Sequence, residues 1–221
     1  MDKSRVQAIA LYANNPWERF LSVFKFWEEP YEVIEKMTPK LGTITELGCG
    51  EGLLTNYLAI ASPQRKIIGY EIVPERLAAA RKGIPNTTYY VGDIIDVPYP
   101  KSDAIILFHV LHHLPGKADQ EAVLKKTMKA LKKDGALIIV DVHVTPTFKY
   151  VAAWIADHFL VPWVFEKRFF TRAYFRTKHE WVSLLKKLGL SVNVSEETKG
   201  RPFPNIIFEC TPQIRTPVLR S

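Results

Sequence analysis

The chain of 221 residues is basic, with 30 Lys and Arg against 23 Asp and Glu and a formal net charge of +7. Its hydrophobic fraction of 47% and charged fraction of 24% are ordinary globular values, which exclude a disordered or collagen-like chain. The length predicts one domain with room for an elaboration. Two cysteines, Cys49 and Cys210, are too few for a disulfide framework and indicate a reducing compartment.

The sequence carries no evident targeting or membrane-spanning segment. Its first residues lack the apolar core of a signal peptide. The most apolar stretch, 150–165, is interrupted by Asp157 and His158 and is shorter than the ~18 residues of a transmembrane helix. We therefore predict a cytoplasmic protein. A peripheral contact with an anionic membrane stays open, because residues 148–188 hold eight Lys and Arg against three Asp and Glu.

The first forty residues are predicted to form a helical N-terminal cap. Aromatic residues recur there at intervals of three and four, which indicates a helix with one apolar face. Pro16 suits the first turn of that helix, and Pro30 is predicted to begin the next one, through Lys36. The aromatic stripe consists of Trp17, Phe20, Phe24 and Trp27.

From residue 41 onwards, short β-branched runs alternate with stretches of helical length. Such alternation predicts the α/β class, with a doubly wound, mostly parallel seven-stranded sheet. Thr177 and Glu180 form a capping box that opens a helix ending before Gly189. The predicted strands cover 43–47, 66–70, 88–91, 104–108, 136–144, 191–194 and 206–210, and the predicted helices between them cover 53–61, 75–82 and 120–131.

These elements are predicted to form a single domain with four parts. The cap covers residues 1–40, and a ligand-binding core covers 41–145. A helical insertion rich in aromatic and basic residues follows the fifth strand, over 146–176. The C-terminal helix and strands occupy 177–221.

A glycine-rich turn, ELGCGEG, joins the first predicted strand to its helix over residues 46–52. Glycine permits a sharp turn and a close approach of a ligand, and the helix N-terminus behind it offers unpaired N–H groups. The spacing is G-x-G-x-G, and Leu53 stands where a dinucleotide fingerprint has its third glycine. NAD is therefore disfavoured.

Acidic residues follow the next two strands at their C-terminal tips. Glu71 ends the second strand, where a carboxylate can accept both hydroxyls of a ribose. Asp93 follows the third strand, where a carboxylate can accept a hydrogen bond from an exocyclic adenine amine. The tips of parallel strands meet at one edge of a sheet, so the glycine turn and the two acids predict one site.

This constellation resembles the class I S-adenosylmethionine-dependent methyltransferases, especially small-molecule members with a VLHHL-like segment, here residues 110–114. The resemblance covers about 42–144, through ELGCGEG, GYEIVPERL, VGDIIDVPYP, DAIILFHVLHHL and LKKDGALIIVD. It implies a Rossmann-like fold, methyl transfer, and S-adenosyl-L-methionine as cofactor. The chain departs from the pattern at 134–136, which read DGA instead of PGG, and at His109, where small or amide residues are common.

The resemblance also implies roles for individual residues. The glycines of the turn would pass close to the methionine part of the cofactor, and Glu46 would support the turn. Glu71 would bind the ribose hydroxyls. Ile72 would pack on the adenine face, and the backbone at Phe108 would line the methionine side. The predicted cofactor-binding set is Glu46, Gly48, Cys49, Gly50, Glu71, Ile72, Asp93, Ile94, Phe108 and His109.

Two histidines are predicted to act in catalysis. His109 ends the fourth strand and His143 lies near the end of the fifth, so either could serve as a general base at the crevice. Their alternative roles are a wall of the cofactor pocket for His109 and a structural hydrogen bond for His143. His143, Tyr12 and Trp17 are predicted to contact the substrate. No metal site is predicted, because the sequence lacks HExxH and CxxC.

The acceptor is predicted to be a small, hydrophobic or lipid-like molecule. Residues 108–111 read FHVL, where nucleic-acid amino methyltransferases carry D/N-P-P-Y/F, and no cysteine lies there for cytosine C5 methylation. The insertion suits a lid, an anionic membrane contact, a homodimer contact or RNA binding. An RNA methyltransferase and a non-catalytic S-adenosylmethionine-binding protein stay as alternatives.

Overall fold

The structure is a computed structural model that describes residues 2–155, 158 and 173–213. The cap contains α1 (Lys3–Leu11), α2 (Pro16–Glu28) and α3 (Tyr31–Met37). The core then runs through β1 (Gly42–Leu47), α4 (Leu53–Ala61), β2 (Arg65–Glu71), α5 (Pro74–Ala80), β3 (Thr87–Val91), β4 (Ser102–Phe108), a short 3₁₀ turn (Leu111–His113), α6 (Lys117–Ala130) and β5 (Leu131–Val142). The last elements are α7 (Phe148–Ile155), α8 (Lys178–Lys187), β6 (Leu190–Glu197) and β7 (Asn205–Pro212).

The strands form one sheet in the order β3-β2-β1-β4-β5-β7-β6. The five strands from β3 to β5 are parallel, and β7 pairs antiparallel with both β5 and β6. The predicted doubly wound, mostly parallel, seven-stranded sheet is therefore confirmed. The strand order reverses between β1 and β4, and ligands bind in the crevice at such a point, outside the carboxyl ends of the strands.

Both faces of the sheet are buried, because successive residues of a strand point to opposite faces. On β4, Ile105 and Leu107 pack into the layer formed with α6 and α8, whereas Ala104 and Ile106 pack into the layer with α4 and the cap helices. Burial on both faces explains why the central strands read as almost continuous apolar runs.

The predicted start of one strand is corrected by the structure. The fifth strand begins at Leu131 instead of residue 136, because Leu131 already pairs with Ser102 of β4 across a register shift. His112 and His113 lie in the 3₁₀ turn and not on the following helix, which begins only at Lys117. The predicted capping box is present, with Thr177 accepting from the N–H of Glu180.

Much of the aromatic and basic insertion, 156–157 and 159–172, lies outside the described residues. The predictions of a lid, a membrane contact, a dimer contact and RNA binding fall largely on that part of the chain. The insertion begins with α7, where Lys149 Nζ donates to the carbonyls of Thr198 and Arg201. Within the described ranges, every helix is too short or too polar to cross a lipid bilayer.

Candidate active site

A cavity of about 520 Å³ opens at the carboxyl ends of β1 to β4, where the strand order reverses. Its volume falls within the range of about 300–1,000 Å³ that is usual for small-molecule sites. The ten residues predicted to bind a cofactor all line this cavity, together with residues from α2, α3, β5 and β7. The strand tips thus bring together in space a set of residues that spans 64 positions of the sequence, from Glu46 to His109.

The glycine turn is held tightly at the cavity wall. The N–H groups of Gly48 and Cys49 both donate to the carbonyl of Tyr70 at 2.8 Å. Gly48 has a φ of +78°, and a Cβ there would stand 2.5 Å from Cγ2 of Val110. Gly50 also has positive φ, at +54°. Only glycine adopts these conformations without strain, so the turn can bring bare backbone up to a ligand.

Glu71 connects the glycine turn to the loop after β2. Its Oε2 accepts from the N–H of Gly50 at 2.9 Å, and its Oε1 accepts from the N–H of Val73 at 3.0 Å. The side chain is buried but borders the cavity. Each carboxylate oxygen can accept more than one hydrogen bond, so Glu71 keeps capacity for donors in the cavity.

The residues after β2 and β3 form the far end of the cavity. Ile72 is 57% exposed beside it, which leaves an apolar surface for a flat ring. Asp93 shapes its own turn, since Oδ1 accepts from the N–H of Ile95 at 2.8 Å. Ile94 is buried beneath this turn. The arrangement suits an adenine lying between an apolar face and an acidic edge.

Glu46 is a buried carboxyl group in the cavity wall, with 2% of its surface exposed. Burial raises the pKa of Glu46 to about 8, against the opposing effect of the Thr55 hydroxyl, which donates to its Oε2, and with a further increase from Glu71. At neutral pH Glu46 is therefore largely protonated in the folded protein and ionised in the unfolded chain. This difference makes the free energy of unfolding depend on pH.

We expect Glu46→Gln to stabilise the protein at pH 8 and to have little effect at pH 4.5. The folded pKa of about 8 lies above the unfolded value of 4.5, so stability is lost as pH rises between the two. Glutamine never ionises and avoids that loss, which the two pKa values make on the order of 4 kcal/mol at pH 8. Urea unfolding at the two pH values measures it, and an equal effect at both would contradict the assignment.

His109 occupies an unusual backbone position at the end of β4. Among the described residues it is the one non-glycine with positive φ, at +48°. Its Nε2 lies 2.9 Å from Asn205 Oδ1, and Asn205 Nδ2 donates to the carbonyl of Glu28 at 3.2 Å, which sets the orientation of the amide. An amide oxygen only accepts, so His109 Nε2 carries a proton and Nδ1 is the basic nitrogen. Strain of this kind often marks a functional residue.

Two adjacent glutamates at the end of α2, Glu28 and Glu29, reach the same part of the cavity. Burial, reinforced by Glu29, raises the pKa of Glu28. Burial would also raise the pKa of Glu29, but His109, with Nε2 3.2 Å from Oε2, reverses this and lowers it. Neither glutamate belongs to the site predicted from the sequence, and neither does Asn205. In the sequence the two glutamates form a pair of acids directly after the aromatic stripe, and this pattern also fits a solvated helix end.

The neighbouring histidines belong to a buried hydrogen-bond network. His112 Nδ1 lies 2.6 Å from Asp141 Oδ1, and Asp141 also accepts from the N–H of Val142 and from Trp181 Nε1. One possible metal-ligand atom from each of His109, His112 and Asp141 lies within 4.8 Å of the other two. The Asp141 carboxylate, however, already accepts hydrogen bonds from the N–H of Val142 and from Trp181 Nε1. His113 lines the cavity, and burial lowers the pKa of His113 well below its usual range.

The structure does not bring Tyr12 or Trp17 to the lining of this cavity. Tyr12 is buried behind the glycine turn, where its hydroxyl donates to the carbonyl of Glu51 at 2.7 Å and accepts from Asn56. Trp17 is 66% exposed, and its ring stacks on Phe20. Their predicted contact with substrate gains no support from the cavity.

His143 is likewise absent from the described lining. It follows Val142, which does line the cavity, and neighbouring residues of an extended chain point in opposite directions. Its N–H donates to the carbonyl of Pro204, and its Nδ1 lies 3.9 Å from Glu196. Of the two histidines predicted to be catalytic, the structure places His109 at the cavity.

Comparisons with known proteins agree with this geometry. A family model described as a methyltransferase domain matches residues 45–139. Trans-aconitate 2-methyltransferase of Mycobacterium ulcerans is 37% identical over 92 residues, or 40% of this chain and 34% of that one. Its counterpart in Variovorax paradoxus is 29% identical over 127 residues, or 57% and 48%. The matched region thus spans a third to a half of these relatives.

Solved structures share the fold over nearly the whole chain. The DhpI–SAH complex has a TM-score of 0.63 and 22% identity, with 96% of this chain and 94% of that one covered. Magnesium protoporphyrin IX methyltransferase from Synechocystis, with bound SAH, has a TM-score of 0.65 and 17% identity, with 95% and 93% covered. Residues 45–139 thus match a methyltransferase domain, and the chain has the fold that these solved structures share.

Proposed function

We propose that this protein transfers a methyl group from S-adenosyl-L-methionine to a small molecule. The observation that carries the proposal is the convergence of the glycine turn, Glu71 and Asp93 on one cavity at the switch point of the sheet. The methyltransferase relatives support a small-molecule acceptor, since two of them are named for trans-aconitate. The chain spans only part of those relatives, so its own acceptor is argued below from its own residues.

The residues of the cavity fit the proposed cofactor. Gly48 and Gly50 leave room at the wall, where a side chain would meet Val110 or Arg76. Glu71 offers acceptors for ribose hydroxyls, and Asp93 offers one for an adenine amine. When bound, S-adenosyl-L-methionine supplies a methyl group already activated by a sulfonium. The protein must then mainly hold the acceptor at a near-attack distance of about 3–3.5 Å.

We propose His109 as the general base of the reaction. An acceptor hydroxyl loses its proton as its oxygen attacks the methyl group, whereas an ammonium must lose a proton before its nitrogen has a lone pair for the attack. The basic Nδ1 of His109 can take either proton. Asn205 and Glu29, at 2.9 and 3.2 Å from Nε2, hold the ring and stabilise its charged form. Glu29 and Asn205 thus act as positioning residues for His109.

The walls around His109 support an acceptor with an apolar body. Side chains from α3, β4, the end of β5 and the loop before β7 line this part of the cavity. Hydrophobic and aromatic linings with a few polar groups are typical of small-molecule sites. These side chains are Tyr31, Phe108, Val142 and Phe203.

Calorimetric titration of the full chain with S-adenosylmethionine and S-adenosylhomocysteine tests the cofactor. We expect dissociation constants in the micromolar range for both. The complex is then incubated with phenols, amines, quinones and carboxylic acids, and released S-adenosylhomocysteine is quantified. Absence of binding by either cofactor form would overturn the proposal, and binding without turnover across the panel would favour a non-catalytic binding protein.

A further inference from the structure

The cavity has two chemically distinct ends. The tips of β2 and β3 lie on one side of the switch point and carry Glu71 and Asp93. On the other side lie β4, β5 and β7, covered by the end of α2 and the start of α3. We call this second side the acceptor end, and it consists of Lys25, Glu28, Glu29, Tyr31, Phe108, His109, Val142, Phe203 and Asn205.

Charge in the described lining is predominantly acidic. Six carboxyl groups line the cavity, of which Glu46 is largely protonated at pH 7, against the two permanent cations Lys25 and Arg76. Three of the acids, Glu46, Glu71 and Asp93, belong to the predicted cofactor set. Glu28 and Glu29 stand at the acceptor end, where no cofactor role is proposed for them.

Glu28 and Glu29 are held in a way that favours a hydrogen-bond donor nearby. They are 7% and 8% exposed, and the Oε2 atom of each is buried without a hydrogen bond. Glu28 Oε2 has Lys25 Nζ at 3.2 Å, and Glu29 Oε2 has His109 Nε2 at the same distance. A carboxylate on the acceptor would therefore face two carboxyl groups, with Lys25 as the one permanent cation among the described residues at this end.

The base at the acceptor end leads to the same conclusion. A carboxylate nucleophile is already ionised at neutral pH and needs no base. A histidine fixed by Asn205 and Glu29 is useful where the nucleophile still carries a proton. The charge of the lining and the geometry of His109 therefore point to one class of acceptor.

We propose that the acceptor is an uncharged or cationic molecule with a proton-bearing oxygen or nitrogen as its methylated atom, and that the acceptor end rejects polycarboxylates. This inference rests on the proposed function and specifies its substrate class. It separates the chain from the relatives named for trans-aconitate, which is a tricarboxylic acid.

Three probes with the same phenol ring test the inference directly. Tyramine, tyrosol and 4-hydroxyphenylacetate end in an ammonium, a hydroxyl and a carboxylate. Each is titrated into the complex with S-adenosylhomocysteine. We expect tyramine and tyrosol to bind, tyramine at least about tenfold more tightly than the carboxylate. Equal or tighter binding of the carboxylate, or binding of none at about 10 mM, would overturn the inference.

A double variant, Glu28→Gln with Glu29→Gln, locates the effect. It should weaken tyramine about tenfold and change tyrosol less than twofold, because glutamine keeps the size of each side chain and removes the charge that only tyramine meets. Glu75→Gln, an exposed carboxylate outside the cavity, is the matched control and should change neither. Equal losses for both probes would mean a merely structural role and contradict the inference. If the double variant does not fold, Glu28→Gln alone serves the same comparison.

Trans-aconitate itself separates this inference from the proposed function. We expect no S-adenosylhomocysteine to form with it above the acceptor-free background. Turnover of trans-aconitate would overturn the acceptor class and leave the methyltransferase function intact. Failure of the protein to bind S-adenosylhomocysteine at all would instead remove the proposed function.

Discussion

Glu71→Ala is expected to lower the affinity for S-adenosylmethionine about 100-fold or more. The carboxylate would accept both ribose hydroxyls, and each charge-assisted hydrogen bond contributes about 1.5–3 kcal/mol. Alanine also removes the acceptors that now bind the N–H groups of Gly50 and Val73, so the glycine turn loses its tie to the loop after β2. Glu71→Asp keeps the charge but shortens the reach, and we expect an intermediate loss.

Calorimetry on the purified variants measures these affinities, with thermal unfolding as the check on folding. Only two backbone hydrogen bonds are lost, so we expect the free energy of unfolding to fall by about 1–3 kcal/mol. Glu75→Gln, four residues further on and exposed, should bind the cofactor as the parent does. An affinity of Glu71→Ala within threefold of the parent would refute the ribose assignment.

The cofactor end of the site is readable from the sequence because its residues are local to strand tips. Each short strand is followed at once by its functional residue, as Glu71 follows IIGY and Asp93 follows VG. The pattern of parallel strands then places those tips at one edge. This is why all ten predicted cofactor residues line one cavity, although their individual contacts remain predictions.

The acceptor end was not readable in this way, because it depends on how distant elements meet. Asn205 begins β7, and it faces His109 only because β7 inserts antiparallel beside β5. Glu29 reaches the same ring from the end of α2. Aromatic composition pointed instead to Tyr12 and Trp17, one of which supports the glycine turn while the other stays exposed. His109 and Asn205 are 96 positions apart, and a contact between residues so distant produces no periodic pattern in the sequence.

Arg65 lies at the opposite end of β2 from Glu71 and is expected to act on stability alone. Its guanidinium is fully buried and donates to the carbonyls of Pro39, Leu58, Glu35 and Thr38. Leu58 and Glu35 belong to the last turns of α4 and α3, and the Leu58 carbonyl also accepts from the N–H of Ser62. Burial lowers the pKa of Arg65, and the Glu35 carboxylate, 3.2 Å away, opposes this decrease.

We therefore expect Arg65→Met to lower the free energy of unfolding by about 3–5 kcal/mol, since it leaves several carbonyls without their donor and removes one of the two cations paired with Glu35. Arg65→Lys should recover part of this, because an ammonium cannot reproduce the planar fork of donors. Lys66→Met, the next and exposed residue of β2, should stay within about 0.5 kcal/mol of the parent. Urea unfolding gives the three values.

Cofactor affinity of the folded Arg65→Met protein should be unchanged, because six residues of extended strand, about 20 Å, separate Arg65 from Glu71. A large loss of affinity without a loss of stability would show that the two ends of β2 are not independent.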